Sequence, residues 1–199
     1  MTRPLALLRP EPGWTASAAA ARAAGIEVTG QPLFVAEPVP WAPPGGEHDA
    51  LLAGSAAAFR LGGPGLAELT RLPVHAVGAV TAAAARASGF TVARTGEGGL
   101  QALLDAAAGK SCRFLRLAGE DRVALHPHSR QAVSEVVVYR MAPRPLEPDF
   151  AAALAGSRPI VALHSAAAAA HFIEHFATDG KSQVTDALYG SAIDKAVDA

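Results

Sequence analysis

Four short segments rich in Ser or Gly each stand between an apolar run and an alanine-rich run: Ser55, Gly78 to Thr81, Ser165 and Gly190-Ser191. With strands before them and helices after them, they begin helices. Free backbone N–H groups and the positive end of the helix dipole bind anions there without any lysine. Four such ends near the C-terminal edges of sheets suit a ligand with many carboxylates. Taken singly, each Ser or Gly reads better as an ordinary N-cap, worth about 1 kcal/mol of helix stability. Their recurrence at matched positions favours binding. Tyr139, one of two tyrosines, closes the apolar run Val136-Val137-Val138. Its hydroxyl needs a partner if buried and donates a proton if it faces a cleft. From the residues alone the structural role is the preferred one.

Other motifs carry less. His171-Phe172-Ile173-Glu174-His175 matches the H-x-x-E-H zinc pattern, but only 24 residues follow it, little room for a distant third ligand. It reads better as a solvated helix end with His175 near the C-terminal dipole, so no metal is expected. His126-Pro127-His128 reads as a surface loop. Gly62-Gly63-Pro64-Gly65 lacks the Lys and the Ser or Thr of a phosphate loop, and GEGG at 96–99 lacks dinucleotide spacing.

The elements that would position these residues alternate along the chain, which predicts an α/β fold with mainly parallel sheets. Expected strands are 3–8, 26–35, 50–53, 74–77, 90–93, 113–117, 135–140, 160–163 and 187–189. Expected helices are 15–24, capped by Gly25, then 98–108, 165–176 and 191–197. Composition sets the limits. The 199 residues include 47 alanines, which suit close helix packing, and 17 Lys and Arg balance 18 Asp and Glu to a net charge of −1. Three lysines and scattered arginines make no phosphate-tracking patch, so no nucleic-acid partner is expected. One cysteine, Cys112, excludes a disulfide framework and a thiolate-rich metal site. The N-terminal MTRPLALLRP is interrupted too early for a secretory signal, and the apolar stretch 160–172 is too short for a membrane span. A soluble cytoplasmic protein is expected.

Laid over itself, the chain repeats. Arg3 aligns with Arg113, Val28 with Val137, Ser55 with Ser165 and Gly78 with Gly190, all at offsets of 109 to 112. LLAGSAAAF (51–59) lies against VALHSAAAA (161–169), and AVGAVTAAA (76–84) against LYGSAIDKA (188–196). In this register Ala199 aligns with Ala87. The second copy is therefore expected to lack the counterpart of the strand and helix that follow Ala87 in the first, leaving a sheet edge open.

Several segments together resemble the uroporphyrinogen-III synthase family: Leu8-Arg9-Pro10, Gln31-Pro32-Leu33 through Glu37-Pro38, AVGAVTAAAARASGF (76–90), FLRLAGEDR (114–122) and EVVVYRMAP (135–143). The resemblance implies two α/β domains joined by two extended connectors, with the substrate cleft between the domains. One domain is residues 1–33 plus 147–199, the other is 38–140, and the connectors are about 33–38 and 140–146. It implies cofactor-free, monomeric closure of hydroxymethylbilane, a linear tetrapyrrole with eight carboxylates, to uroporphyrinogen III. Ring D inverts through loss of water, a spiro intermediate and reclosure. Tyr139 takes the place of the family's cleft tyrosine. Arg9, Ser55, Ala56, Gly78, Thr81, Ser165, Ala166, Gly190 and Ser191 are its implied substrate-binding positions. Departures are the absence of a Thr before Ser55 and of a Pro after Ser165, and Pro127 where a helix should follow GEDR. The competing expectation is a two-lobed α/β protein that closes on a small anionic ligand without turnover.

Overall fold

A computed structural model describes residues 3–157 and 159–178. The expected strand at 187–189, the helix at 191–197, Gly190, Ser191 and the expected open edge all lie outside the described residues. The chain divides into two compact units, crossing between them at Val35/Ala36 and at Met141/Ala142.

The first unit contains a parallel sheet of β1 (Leu5–Leu7), β2 (Val28–Thr29) and β9 (Ile160–Ala162), in the order β2-β1-β9. Helix α1 (Gly13–Ala23) follows β1, and α5 (Pro148–Ser157) and α6 (Ala166–Thr178) flank β9. Gly25, at φ +73, accepts the left-handed turn that ends α1 and donates its N–H to the Arg22 carbonyl. The single strand expected over 26–35 is two strands. Gly30, at φ +120, passes so close to the Leu7 backbone that a Cβ would collide with it, and Pro32 offers no N–H to a ladder. Ala6, Leu8, Leu33, Phe150, Leu154 and Phe172 form the buried core.

The second unit is built on a sheet in the order β3-β8-β7-β4-β5-β6. These strands are β3 (Phe34–Pro38), β4 (Ala50–Ala53), β5 (Val74–Val77), β6 (Val92–Gly96), β7 (Cys112–Gly119) and β8 (Gln131–Pro143). All pairs from β8 to β6 are parallel. Strand β4 is buried throughout because both faces are covered, which is why its sequence, ALLA, shows no polar alternation. Leu51 and Ala53 face a core shared with α2 (Ala57–Leu61), a 3₁₀ segment (Gly63–Leu69) and α3 (Gly78–Ala87). Ala50 and Leu52 face Leu103 and Leu104 of α4 (Gly99–Asp105). The strand expected at 90–93 begins two residues later, and Gly63 to Gly65 start the 3₁₀ segment, with Gly62 at its N-cap.

At the N-terminal edge of this sheet, Asp49 clamps the start of β7. Its carboxylate accepts from the Arg113 backbone N–H at 2.8 Å and from the guanidinium at 2.8 and 3.1 Å. Those bonds hold the exposed Asp49 carboxyl down at about 2.

Leu115 is fully buried on β7 among residues of the α2–α3 face. Replacing it with Ala should cost about 3 kcal/mol through lost burial and a residual cavity. Urea denaturation of the two proteins, compared at equal m-value, measures that loss.

Candidate active site

The sheet order reverses between β4 and β7, since the chain runs outward through β5 and β6 and then returns to β7 on the other side of β4. Loops leaving neighbouring parallel strands diverge at such a point and open a crevice at their C-terminal ends. A cleft of about 460 Å³ lies there. Gly54 and Ser55 border it after β4, Val77 ends β5, Gly98 and Gly99 cap and begin α4, Gly119 ends β7, and Asp121 to Leu125 follow it. Tyr139 of β8 completes the wall.

Parallel strands β7 and β8 are joined by residues 120–130 without a helix, in agreement with the position of Pro127. An extended crossover cannot satisfy its own backbone, so other groups must do so. Arg116 projects from β7 with its side chain 8% exposed; its Nη1 donates to the Val123 carbonyl at 2.8 Å and to Glu135 at 2.7 Å. Arg122 binds the other oxygen of Glu135 at 2.8 Å and the Glu120 carbonyl. Burial works against the Glu135 charge, but the Arg122 and Arg116 bonds outweigh it and hold this carboxyl below its ordinary value. Further along, Gln101 of α4 exchanges two hydrogen bonds with the His126 backbone. His128 meets Asp105 at 2.8 Å, and buried Gln131 donates to the Leu104 carbonyl. The imidazoles of His126 and His128 therefore belong to an exposed loop pinned on α4.

Tyr139 is half-buried in the cleft wall, and no described residue hydrogen-bonds its hydroxyl. Ser55 also reaches the cleft, but its Oγ accepts the Ala57 N–H at 3.2 Å and is occupied with the turn into α2. Ala56 is buried beside it. Gly78 begins α3 at φ +76, directly after cleft residue Val77. Thr81 lies on the buried side of α3, 5% exposed and outside the cleft lining. In the first unit, Arg9 donates to Ser17 at 3.0 Å, and Ser165 caps α6 by accepting the Ala168 N–H at 3.1 Å, with Ala166 the first helical residue. His171 of the zinc-like motif meets the Arg144 carbonyl at 3.0 Å. Among the described residues no three His, Cys, Asp or Glu groups are placed to hold a metal ion, and no helix is long and apolar enough to cross a membrane.

Sequence reading missed Gly98, Gly99, Arg116 and Gly119 as parts of the cleft. The signal for the first two was adjacent glycines after a strand, which take φ +80 and +90 and present only backbone to the cleft.

The Glu135 bonds yield a pH-dependent prediction. A lowered folded-state value stabilises the protein above the unfolded carboxyl value, about 4.3, and that stabilisation is lost as pH falls through the folded value. Glu135→Gln should therefore cost about 1–2 kcal/mol at pH 7. The gap from wild type should narrow progressively as pH falls below the unfolded carboxyl value, as read by urea melts across the acid range.

The family profile of uroporphyrinogen-III synthase HemD matches residues 15–197. Among solved structures, uroporphyrinogen-III synthetase of Helicobacter pylori is 17% identical with a TM-score of 0.59, covering 88% of this chain and 79% of that one. A mutant uroporphyrinogen III synthase of Thermus thermophilus is 20% identical with a TM-score of 0.51, covering 86% and 77%. At these identities the two structures support the mixed α/β fold with parallel sheets. No curated protein sequence matches. The profile covers most of the chain, and the chain belongs to the uroporphyrinogen-III synthase family.

Proposed function

We propose that this chain cyclises hydroxymethylbilane to uroporphyrinogen III with inversion of ring D and loss of water. The observation that carries this reading is the position of Tyr139, the tyrosine that the family likeness singles out, with its hydroxyl unpartnered at a cleft beside the strand-order reversal. The chemistry asks little of the protein. Electron donation from the pyrrole nitrogen breaks the bond between the methylene carbon and its hydroxyl, and a proton delivered to that oxygen lets it leave as water. Tyr139 is the proposed donor. The resulting azafulvenium cation is then attacked by the substituted carbon of ring D to give the spiro intermediate, which opens and recloses at the free α-carbon of ring D with that ring inverted; the proton lost from that carbon restores the phenol. The protein's larger task is to hold the chain curled so that its ends meet.

The substrate-binding positions proposed with it are Ser55, Ala56, Gly78 and Thr81 in one unit and Arg9, Ser165 and Ala166 in the other. Gly190 and Ser191 complete the family-derived set. We also read the protein as a cytoplasmic monomer of two lobes, 1–33 plus 147–199 and 38–140, joined by extended connectors. The division of the chain at Val35/Ala36 and Met141/Ala142 supports those lobes.

A coupled assay tests the function. Hydroxymethylbilane is generated by its deaminase, this protein is added, and the oxidised uroporphyrins I and III are resolved by chromatography. The spontaneous I isomer serves as the internal control. A dominant III isomer is expected; I alone from folded protein overturns the proposal and leaves the non-catalytic anion-binding alternative. Tyr139→Phe should lower kcat by about tenfold or more with little change in KM, as loss of a positioned proton donor does. Thr81→Val should raise KM with kcat nearly unchanged; an unaltered KM removes Thr81 from the binding set.

A further inference from the structure

Strand β8 does not keep the simple alternation of faces. Val136 and Val138 lie two apart and pack on the α2–α3 core, as alternation requires, yet Tyr139 packs against that same core. The ladder with β7 explains this. Ala118 pairs with Val137, but the next residue, Gly119, pairs with Tyr139, so Val138 is the extra residue of a bulge. A bulge re-aims the side chain that follows it. The backbone is held in that arrangement by Glu120, whose N–H donates to the Tyr139 carbonyl at 2.9 Å.

Gly119 stands directly across from the re-aimed ring. A Cβ at position 119 would lie 2.7 Å from Tyr139 Cζ and 2.9 Å from both Cε2 and the hydroxyl oxygen, well inside van der Waals contact. Gly119 is not among the positive-φ glycines, so left-handed backbone is not the reason for its identity. The space it leaves is filled by the phenol.

We infer that Gly119, together with the bulge at Val138, is a positioning residue that sets the Tyr139 hydroxyl in the cleft. This rests on the reading of Tyr139 as the proton donor. The atoms that a Cβ would meet are the far end of a side chain and yield by rotation. The inference therefore predicts displacement of the hydroxyl with little loss of stability.

The experiment is a double-mutant cycle in the full chain with the coupled assay: wild type, Gly119→Ala, Tyr139→Phe and the pair. Gly119→Ala should lower kcat about tenfold or more while KM stays within about twofold and Tm within about 3 °C of wild type. In the Tyr139→Phe background the same substitution should change kcat less than about twofold, because the group it displaces is gone. Wild-type kcat in Gly119→Ala, or an equal loss in both backgrounds, overturns the inference. A Tyr139→Phe protein at full rate instead sinks the donor reading, and the catalytic purpose of Gly119 with it. If Gly119→Ala does not fold, adding Tyr139→Ala should restore folding by removing the ring; failure to do so shows that Gly119 serves something other than Tyr139.

Discussion

A parallel strand pair joined without a helix governs the cleft. Strands β7 and β8 run in the same direction, and the eleven residues from Glu120 to Arg130 must return from one end of the sheet to the other in irregular conformation. A helix would satisfy its own N–H and C=O groups and cover the sheet with apolar side chains. The extended crossover does neither. Its carbonyls are met by the Arg116 and Arg122 guanidiniums and the Gln101 amide, and its apolar contact narrows to Leu125 against the Leu52–Phe114 face. Because the same crossover walls the cleft from Asp121 to Leu125, the polar network that replaces a helix also shapes the site.

That network explains the use of a buried charge. Arg116 sits on a central strand with its side chain only 8% exposed, and an unpaired guanidinium there is costly. Glu135, on the adjacent strand in direct register with it, supplies the counter-charge. Arg122 takes the second carboxylate oxygen. The arrangement is a geometric clasp, and its energetic worth lies in the penalty for breaking it more than in any gain over an apolar pair.

Much of the architecture was legible in the sequence. The internal repeat equates β1 with β7, β2 with β8 and β9 with β4, and the two sheets carry those strands in corresponding orders, β2-β1-β9 and β8-β7-β4. Alanine runs after Gly and Ser marked α1, α3 and α6 closely, because caps and propensity are local. The break at Gly30 escaped notice because its cause is the approach of the Leu7 backbone, which is distant in sequence. Arg116 and Gly119 stood in the quoted FLRLAGEDR segment without roles, since pairing with Glu135 and opposition to Tyr139 depend on strand register. Helix α5 was missed although it begins on Pro148 with Asp149 in its first turn, both ordinary start signals. Tyr139 was identified as a cleft residue by family likeness; strict alternation along β8 would have assigned it to the opposite face.

The capping serines limit what their side chains can offer a ligand. Ser55 and Ser165 occupy matched places in the repeat, and each accepts an N–H of its own helix. Their conservation of type between the two copies is thus explained by local structure before any ligand is considered. The arginines beside the cleft are likewise committed, Arg116 and Arg122 to Glu135 and to loop carbonyls, while the exposed Asp121 also borders it. Also bordering it are Gly54, Gly98 and Gly99, which carry no side chain, and the phenol of Tyr139. Under the proposed function a polyanion would meet fixed backbone dipoles whose positions the sheet determines, in a chain with only three lysines and a net charge of −1. Binding through backbone also leaves the one unpartnered hydroxyl in the wall as the group whose placement the chemistry would feel most.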